Sequence, residues 1–354
     1  MKARHGLVIG KFYPPHAGHH ELIRAAAAAA DRVTVVVMAA SVESLALADR
    51  VAWLQETHAG DGNVTVTGII DDVPIDMESD EIWRAHVDLM RQAVRSVTEE
   101  PVDAVLTPEA YGAELARRFD ARLIPSPPRL GYTSGTLVRA DVAAHWQWLA
   151  PCVRAHLALR VVLVGAESTG KTTLAEDIAA RLRARGGAWA AVEWVGEVGR
   201  DETVAKVEAA GRGALVTDIR WETPDFVRIA HAQARAEEAA ARRGGPVLVC
   251  DTDAFATGIW HERYMHARDA EVEAAGTAAP FHLYLLTHHD DVPFVDDGVR
   301  DGEQIRGWMT DTFEARLAGR RWHWLRGERE ARLQQALARI DETFRGRRFT
   351  DPLG

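Results

Sequence analysis

Residues 160–173 read Arg160-Val161-Val162-Leu163-Val164-Gly165-Ala166-Glu167-Ser168-Thr169-Gly170-Lys171-Thr172-Thr173. The run of β-branched and leucine residues predicts a buried parallel strand. A Gly-x-x-x-x-Gly-Lys-Thr loop follows at once, then a helical pattern from Leu174 to Arg185. Strand, glycine loop and helix in that order are the setting a phosphate-binding loop requires. Gly165 and Gly170 permit a tight turn whose successive N–H groups, from Gly165 through Ala166, Glu167, Ser168 and Thr169 to Thr173, converge on ATP phosphate oxygens. The helix N-terminus adds partial positive charge. Lys171 is placed to reach the β- and γ-phosphates, and Thr172 to hold Mg²⁺. The loop lies near the middle of a 354-residue chain, so what precedes it needs its own explanation.

Length predicts two domains of ordinary size, and 47% hydrophobic with 27% charged residues is the composition of a soluble globular protein. No apolar run approaches the ~18–20 residues of a membrane span, and Met1-Lys2-Ala3-Arg4-His5 leads into a strand-like run rather than a signal peptide. Cys152 and Cys250 lie far apart among apolar residues, as expected of reduced, structural cysteines in a cytoplasmic protein. The net charge of -10 disfavours a nucleic-acid binder but leaves room for a locally positive nucleotide site.

In the first half, Gly6–Gly10 and Asp31–Met38 read as strands around a helix that ends at Ala30. This βαβ unit implies a parallel sheet with a right-handed crossover. The turn Gly10-Lys11-Phe12-Tyr13-Pro14-Pro15-His16-Ala17-Gly18-His19 then falls at the carboxyl end of the sheet, where such folds bind ligands. Gly10 allows close backbone approach, and Pro14 and Pro15 stiffen the loop. His16 and His19, three apart at a helix start, can face one anion, and with the helix N-terminus they favour a polyphosphate.

The string Gly-x-Phe-x-Pro-x-His-x-Gly-His resembles the signature of the nucleotidyltransferase superfamily that includes nicotinamide mononucleotide (NMN) and pantetheine phosphate adenylyltransferases. The resemblance implies that both histidines contact ATP phosphates, with Gly10, Lys11, Phe12 and Gly18 in the same binding turn. A second motif of that family, Ser-x-Thr-x-x-Arg, stands at Ser134-Gly135-Thr136-Leu137-Val138-Arg139. Ser134 is a reasonable helix N-cap beside Thr136, and Arg139 would meet the β- and γ-phosphates. Between the motifs, Ser44–Glu56 and Asp80–Val97 read as amphipathic helices, Val64–Ile70 and Val102–Thr107 as strands. Pro108-Glu109-Ala110-Tyr111-Gly112 resembles the family's strand-four loop beside the substrate. Trp83 either stacks on a pyridine ring there or, as a tryptophan at helical spacing more often does, belongs to the core.

Asp141–His156, with Trp146 and Trp148, reads as a helix leading into the glycine-loop strand. No Gly/Ser-rich linker intervenes, so domains 1–156 and 157–354 are expected to be closely packed or joined by this helix. Beyond the loop, Trp189–Val195 reads as a strand with Glu197 and Arg200 after its end. Asp225–Arg243 reads as a helix with Pro224 at its start. Val247–Asp251 reads as a strand ending in Asp251-Thr252-Asp253. Asp251 and Asp253 can divide two jobs, metal partner and helix cap. Phe281–Leu286 is a further strand. Phe294–Arg300 is either a lid whose Arg300 closes on phosphate or a surface loop. His288-His289-Asp290-Asp291 has no spaced partner set and reads as a solvated turn.

A nucleotidyltransferase followed directly by a P-loop kinase is similar to the NadR family, bifunctional nicotinamide-nucleotide adenylyltransferases and ribosylnicotinamide kinases. Gly-x-Glu-Ser-x-Gly-Lys, Glu-x-x-Arg, Asp-Thr-Asp and Asp-Asp-Gly-x-Arg carry that similarity. The resemblance implies an α/β chain: a Rossmann-like nucleotidyltransferase fold, then a P-loop kinase fold, each with a parallel sheet flanked by helices. It implies phosphorylation of nicotinamide riboside to NMN by ATP and Mg²⁺, then adenylylation of NMN to NAD and pyrophosphate. Glu197, Arg200, Asp251 and Asp253 would serve the kinase substrate, with Glu197 or Asp253 taking the hydroxyl proton. His16, His19 and Arg139 would act in the first domain by positioning and charge neutralisation. Some members begin with a helix-turn-helix repressor domain; this chain starts at strand one, so DNA binding is not expected. A homo-oligomer stays open, as do a coenzyme A-pathway fusion and a nucleotide-sensing regulator.

Overall fold

The computed structural model describes residues 2–128, 131–275, 282–295, 300, 302–347 and 349–350. Contacts divide the chain into two units. One runs through Val153 and takes in Phe349 and Thr350; the other is Arg154–Arg347. The change falls within a helix, and the last residues return to the first unit.

The first unit is built from β1 (Ala3–Gly10), α1 (Ala17–Ala29), β2 (Ala30–Ala39), α2 (Leu47–Thr57), β3 (Val64–Ile70), α3 (Asp80–Arg95), β4 (Ala104–Leu106), α4 (Gly112–Phe119), β5 (Arg122–Ile124) and α5 (Gly135–Ala140). Its strands are all parallel, in the order β3-β2-β1-β4-β5. Alternate residues of the central strands feed opposite layers. Val8, Val35 and Val37 pack with Ile23 and Leu54 on one face; Leu7, Ile9 and Val36 pack with Val87, Met90 and Leu115 on the other. Coverage on both faces explains why β1 and β2 are nearly continuous apolar runs.

Helix α6 (Pro151–Leu157) carries the chain from one unit to the next. The second unit contains β6 (Leu159–Val164), α7 (Lys171–Arg183), β7 (Glu193–Val195), α8 (Val198–Ala210), α9 (Thr223–Arg243), β8 (Val247–Asp251), α10 (Ala254–Met265), α11 (Ala270–Ala274), β9 (His282–Thr287), α12 (Arg306–Arg316), β10 (Trp322–Leu325) and α13 (Arg329–Arg345). The parallel order is β10-β9-β6-β8-β7. Leu159, Val161 and Leu163 of β6 bury against Leu174, Ile178 and Leu182 of α7 and Leu333 and Ile340 of α13. In both sheets the first strand is central and its neighbours lie on opposite sides, so a crevice opens at its carboxyl end.

Three expected elements differ. The helix expected over 141–156 is broken: Asp141 Oδ1 accepts from Ala144 N at 3.0 Å, Trp146–Trp148 forms a 3-10 turn, and the α-helix restarts at Pro151. A proline lacks the N–H an interior turn needs but suits a first turn. The strand expected over 189–195 shrinks to β7, because Gly186 and Gly187 take positive φ and a 3-10 turn occupies Gly187–Ala191. Helix α2 starts at Leu47 rather than Ser44, whose backbone N–H and hydroxyl both bond the Tyr13 hydroxyl. Phe281 of the strand expected over 281–286 lies outside the described residues. Both cysteines are free and buried, and no described helix is long and apolar enough to cross a membrane.

Candidate active sites

The first cleft lies at the carboxyl end of β1. His16 caps α1: its Nδ1 accepts from Gly18 N at 3.2 Å, and His19 Nδ1 accepts from His16 N at 3.3 Å. The two imidazoles pack with centroids 3.9 Å apart. With each Nδ1 occupied as an acceptor, the neutral rings carry their proton on Nε2 and offer it as a donor. Burial, and then His145, lower the His16 pKa to about 4; burial and the neighbouring His16 and His20 hold His19 well below the usual histidine range. The free protein therefore presents uncharged donors here, not the cationic pair that charge neutralisation supposes.

Ser134 caps α5, accepting from Leu137 N at 3.2 Å. Arg139 Nη1 donates to the Tyr13 carbonyl at 2.7 Å and Nη2 approaches Thr136 Oγ1 at 3.4 Å. A Cβ at Gly135 would stand 3.1 Å from both the Tyr13 carbonyl oxygen and Arg139 Nη1, so glycine here lets the two motifs approach closely without displacing either group. Gly10, Lys11, Phe12, His16, Gly18 and His19 face Ser134, Thr136 and Arg139 across one cleft. Tyr111 also lines it, from the Pro108–Gly112 string. Trp83 does not. It is 7% exposed, packs with Val87 and Met90, and donates to the Met77 carbonyl at 3.1 Å. The apolar face of α3 turns it into the core, correcting the stacking role.

In the second cleft, Gly165 (φ 142) and Gly170 (φ 77) bracket the loop that ends β6, and Ser168 also takes a positive φ. An added Cβ at Gly165 would meet Thr287 Oγ1 and the Thr287 carbonyl oxygen, the latter at 2.8 Å. Lys171 Nζ donates to the carbonyls of Gly165 and Ala166 at 3.0 and 2.8 Å. Thr169 is buried and bonds Thr287 Oγ1 at 2.7 Å, and Arg332 Nη1 donates to its carbonyl at 2.8 Å. Arg300 Nη1 lies 3.2 Å from Ser168 Oγ, so the arginine does reach the loop. The intervening Asp296, Asp297, Gly298 and Val299 lie outside the described residues.

Thr172 Oγ1 donates to Asp251 Oδ2, and Asp251 Oδ1 is buried without a hydrogen-bond partner. A hydroxyl, a carboxylate and an unsatisfied oxygen form a donor set that suits a hard divalent cation. Asp253 is placed otherwise. Its Oδ1 accepts from Ala256 N at 2.9 Å as the cap of α10, and its Oδ2 accepts from Tyr284 Oη at 2.8 Å. The cleft is lined by Glu197 and Arg200 and not by Asp253, so of the two candidate bases only Glu197 faces it. Burial, reinforced by Asp251 and Glu167 and opposed by Lys171, pushes Glu197 up to about 7.

The sequence reading missed the cleft's aromatic wall of Trp221, Phe226, Trp260 and Tyr264. Trp260 and Tyr264, four apart on α10, were the available signal. His288, His289 and Asp290 bring three potential ligand atoms within 4.8 Å of one another, more than the linear spacing suggested. Yet His288 Nδ1 accepts from Asp290 N, and His289 Nδ1 bonds Thr310 Oγ1 at 2.9 Å.

Residues 160–332 match the family model described as AAA domain. The trifunctional NAD biosynthesis/regulator protein NadR of Escherichia coli (strain K12) is 25% identical over 313 residues, 83% of this chain and 71% of that protein. Its Salmonella typhimurium counterpart is 24% identical over the same shares. The fold matches a crystal structure of NadR protein in complex with NR, with a TM-score of 0.70 and 20% identity, over 99% of this chain and 98% of that one. The 313-residue match is longer than either unit, so the similarity to the NadR proteins extends over both.

Proposed function

We propose that the two clefts catalyse consecutive ATP-dependent steps of NAD formation. The second unit phosphorylates the 5′-hydroxyl of nicotinamide riboside, and the first joins the resulting NMN to the adenylyl group of ATP, releasing pyrophosphate. The observation that carries this reading is that one chain holds two clefts of different construction, each at the carboxyl end of the central strand of its own sheet and lined by a turn of the kind that binds phosphate.

In the second unit, the loop N–H groups, Lys171 and Arg300 hold the ATP phosphates. Glu197, near neutral pKa, accepts the proton of the attacking hydroxyl. The aromatic wall of Trp221, Trp260 and Tyr264 offers flat surfaces for a pyridine ring. Thr172 and Asp251 would hold Mg²⁺, which supplies charge neutralisation on the transferring phosphate. In the first unit, the phosphate of NMN attacks the α-phosphate of ATP directly. His16 and His19 donate from Nε2, and Arg139 supplies the positive charge. These assignments rest on the geometry of the two clefts; a crystal structure of NadR protein in complex with NAD and AMP-PNP shares the fold.

Turnover is the test. With nicotinamide riboside and ATP the chain is expected to yield NMN, then NAD with one pyrophosphate per NAD. Phosphorylation of dephospho-coenzyme A instead would establish a coenzyme A-pathway enzyme. Tight ATP binding with neither product would establish a sensor.

A further inference from the structure

Tyr13 lies inside the ATP-binding turn and is 2% exposed. Two guanidinium groups lie over its ring, Arg50 at 4.3 Å and Arg139 at 5.0 Å from the centroid. Arg50 is fully buried and anchors the turn from α2. It donates to the Lys11 carbonyl at 3.1 Å and pairs with Glu43 Oε2 at 2.6 Å. The Tyr13 carbonyl accepts from Arg139, so the position of Arg139 in the cleft depends on where Tyr13 is held.

The tyrosine hydroxyl meets residues from two distant stretches. It donates to the Thr350 carbonyl at 2.9 Å, across 337 positions of sequence, and lies 2.6 Å from Ser44 Oγ. Thr350 N donates to Ser44 Oγ at 2.8 Å, and the Phe349 ring meets the Tyr13 ring edge-on at 6.3 Å. Proton counting fixes the directions. The tyrosine proton goes to Thr350, so the serine proton goes to Tyr13, and Ser44 Oγ receives from Thr350 N. Three residues thus close a ring of hydrogen bonds in which every donor has one acceptor.

We propose that Phe349 and Thr350 are positioning residues of the first cleft: with Ser44 they latch Tyr13, and through its carbonyl they hold Arg139 ready for the ATP phosphates. This rests on reading that cleft as the adenylyltransferase site. The latch works through the Thr350 backbone, so side-chain identity at 350 is expected to matter less than its N–H.

The experiment measures both activities in full-length variants. Tyr13→Phe removes the hydroxyl and keeps the ring; Thr350→Pro removes the backbone donor. Each is expected to raise the ATP KM of NAD formation about fivefold, the worth of one net hydrogen bond, with kcat changed less. Phosphoryl transfer stays within twofold of wild type. The Tyr13→Phe/Thr350→Pro double variant is expected to be no worse than either single one, because one ring is broken once. Alanine in place of the proline, Thr350→Ala, restores the N–H and with it the KM. A lowered Tm with an unmoved ATP KM in both Tyr13→Phe and Thr350→Pro would overturn the proposal, leaving a purely structural tail. Arg139→Ala separates the two readings: if it forms NAD at the wild-type rate, the adenylyltransferase assignment itself fails. If it is inactive while the latch variants keep the wild-type KM, only the latch fails.

Discussion

On the proposed reading, the two clefts hold ATP phosphates with different parts of the chain. The first uses side chains: two imidazoles at a helix start and an arginine delivered by a second motif 120 positions further on. The second relies on main chain: positive-φ glycines shape the loop, and Lys171, Thr172, Asp251 and Arg300 add side-chain chemistry around it. The first encloses about 590 Å³ and the second about 140 Å³, where Lys171 folds back on the loop carbonyls and Arg300 reaches Ser168. Side-chain sites can be edited one donor at a time. A backbone cradle tolerates replacement of its side chains only where φ and space permit, and Gly165 has neither.

The largest effect that can separate the two sites is loss of the lysine. Lys171→Ala is expected to reduce phosphorylation of nicotinamide riboside by at least about 10³-fold while leaving adenylylation of supplied NMN unchanged. Coupled loss of both activities in a folded variant would break the two-site comparison. The reciprocal change, His19→Ala, removes one donor from the first cleft. NAD formation is expected to fall by about 10²–10³ in kcat, with unaltered circular dichroism and kinase activity near wild type. A wild-type rate would reduce the His16–His19 pair to a capping device.

A smaller effect concerns the base. With Glu197 titrating near 7, kinase kcat/KM should fall about tenfold per unit of pH below that point as the carboxylate is protonated. Glu197→Gln should be slow and lack this limb; an unchanged profile would return the role to another group.

The smallest predicted effect is on stability, and it has opposite sign in the two units. Burial lowers the histidines of the first: His16 to about 4, His20 to about 3. Their unfolded forms bind protons first, so stability present above about 6.5 is lost as pH falls through the window down to the folded values. In the second unit burial raises Glu197, Glu237 and Asp253. Their folded forms bind protons first, so that contribution is present below the ordinary carboxylate range and is lost as pH rises toward the folded values. Amide exchange at pH 5 and pH 7.5 should therefore show the first unit loosening and the second tightening on acidification. Parallel shifts would show that other charges dominate.

Much of the site was legible in the sequence because its parts are local. A glycine loop between a strand and a helix, or two histidines three apart at a helix start, form their geometry from bonds within a few residues. Ser134 caps the helix expected of it, His16 stands at the expected helix start, where it also serves as cap, and Thr172 bonds Asp251. The central strands were legible too, since burial on both faces demands an unbroken apolar run. The short edge strands β5 and β10 carried no such signal.

By itself, then, the sequence determined the two parallel sheets, their order along the chain and the two turns proposed to bind phosphate. Tertiary structure alone decided the rest. It spent Asp253 on a helix cap and Tyr284 and left Glu197 lining the cleft. It buried Trp83 while bringing Trp221 and Trp260 into a cleft. It set Thr350 against Tyr13. The physical reason is the same each time. Whether a side chain serves packing, capping or chemistry depends on which groups remain unsatisfied around it, and those groups arrive from stretches whose separation along the chain carries no record of their contact.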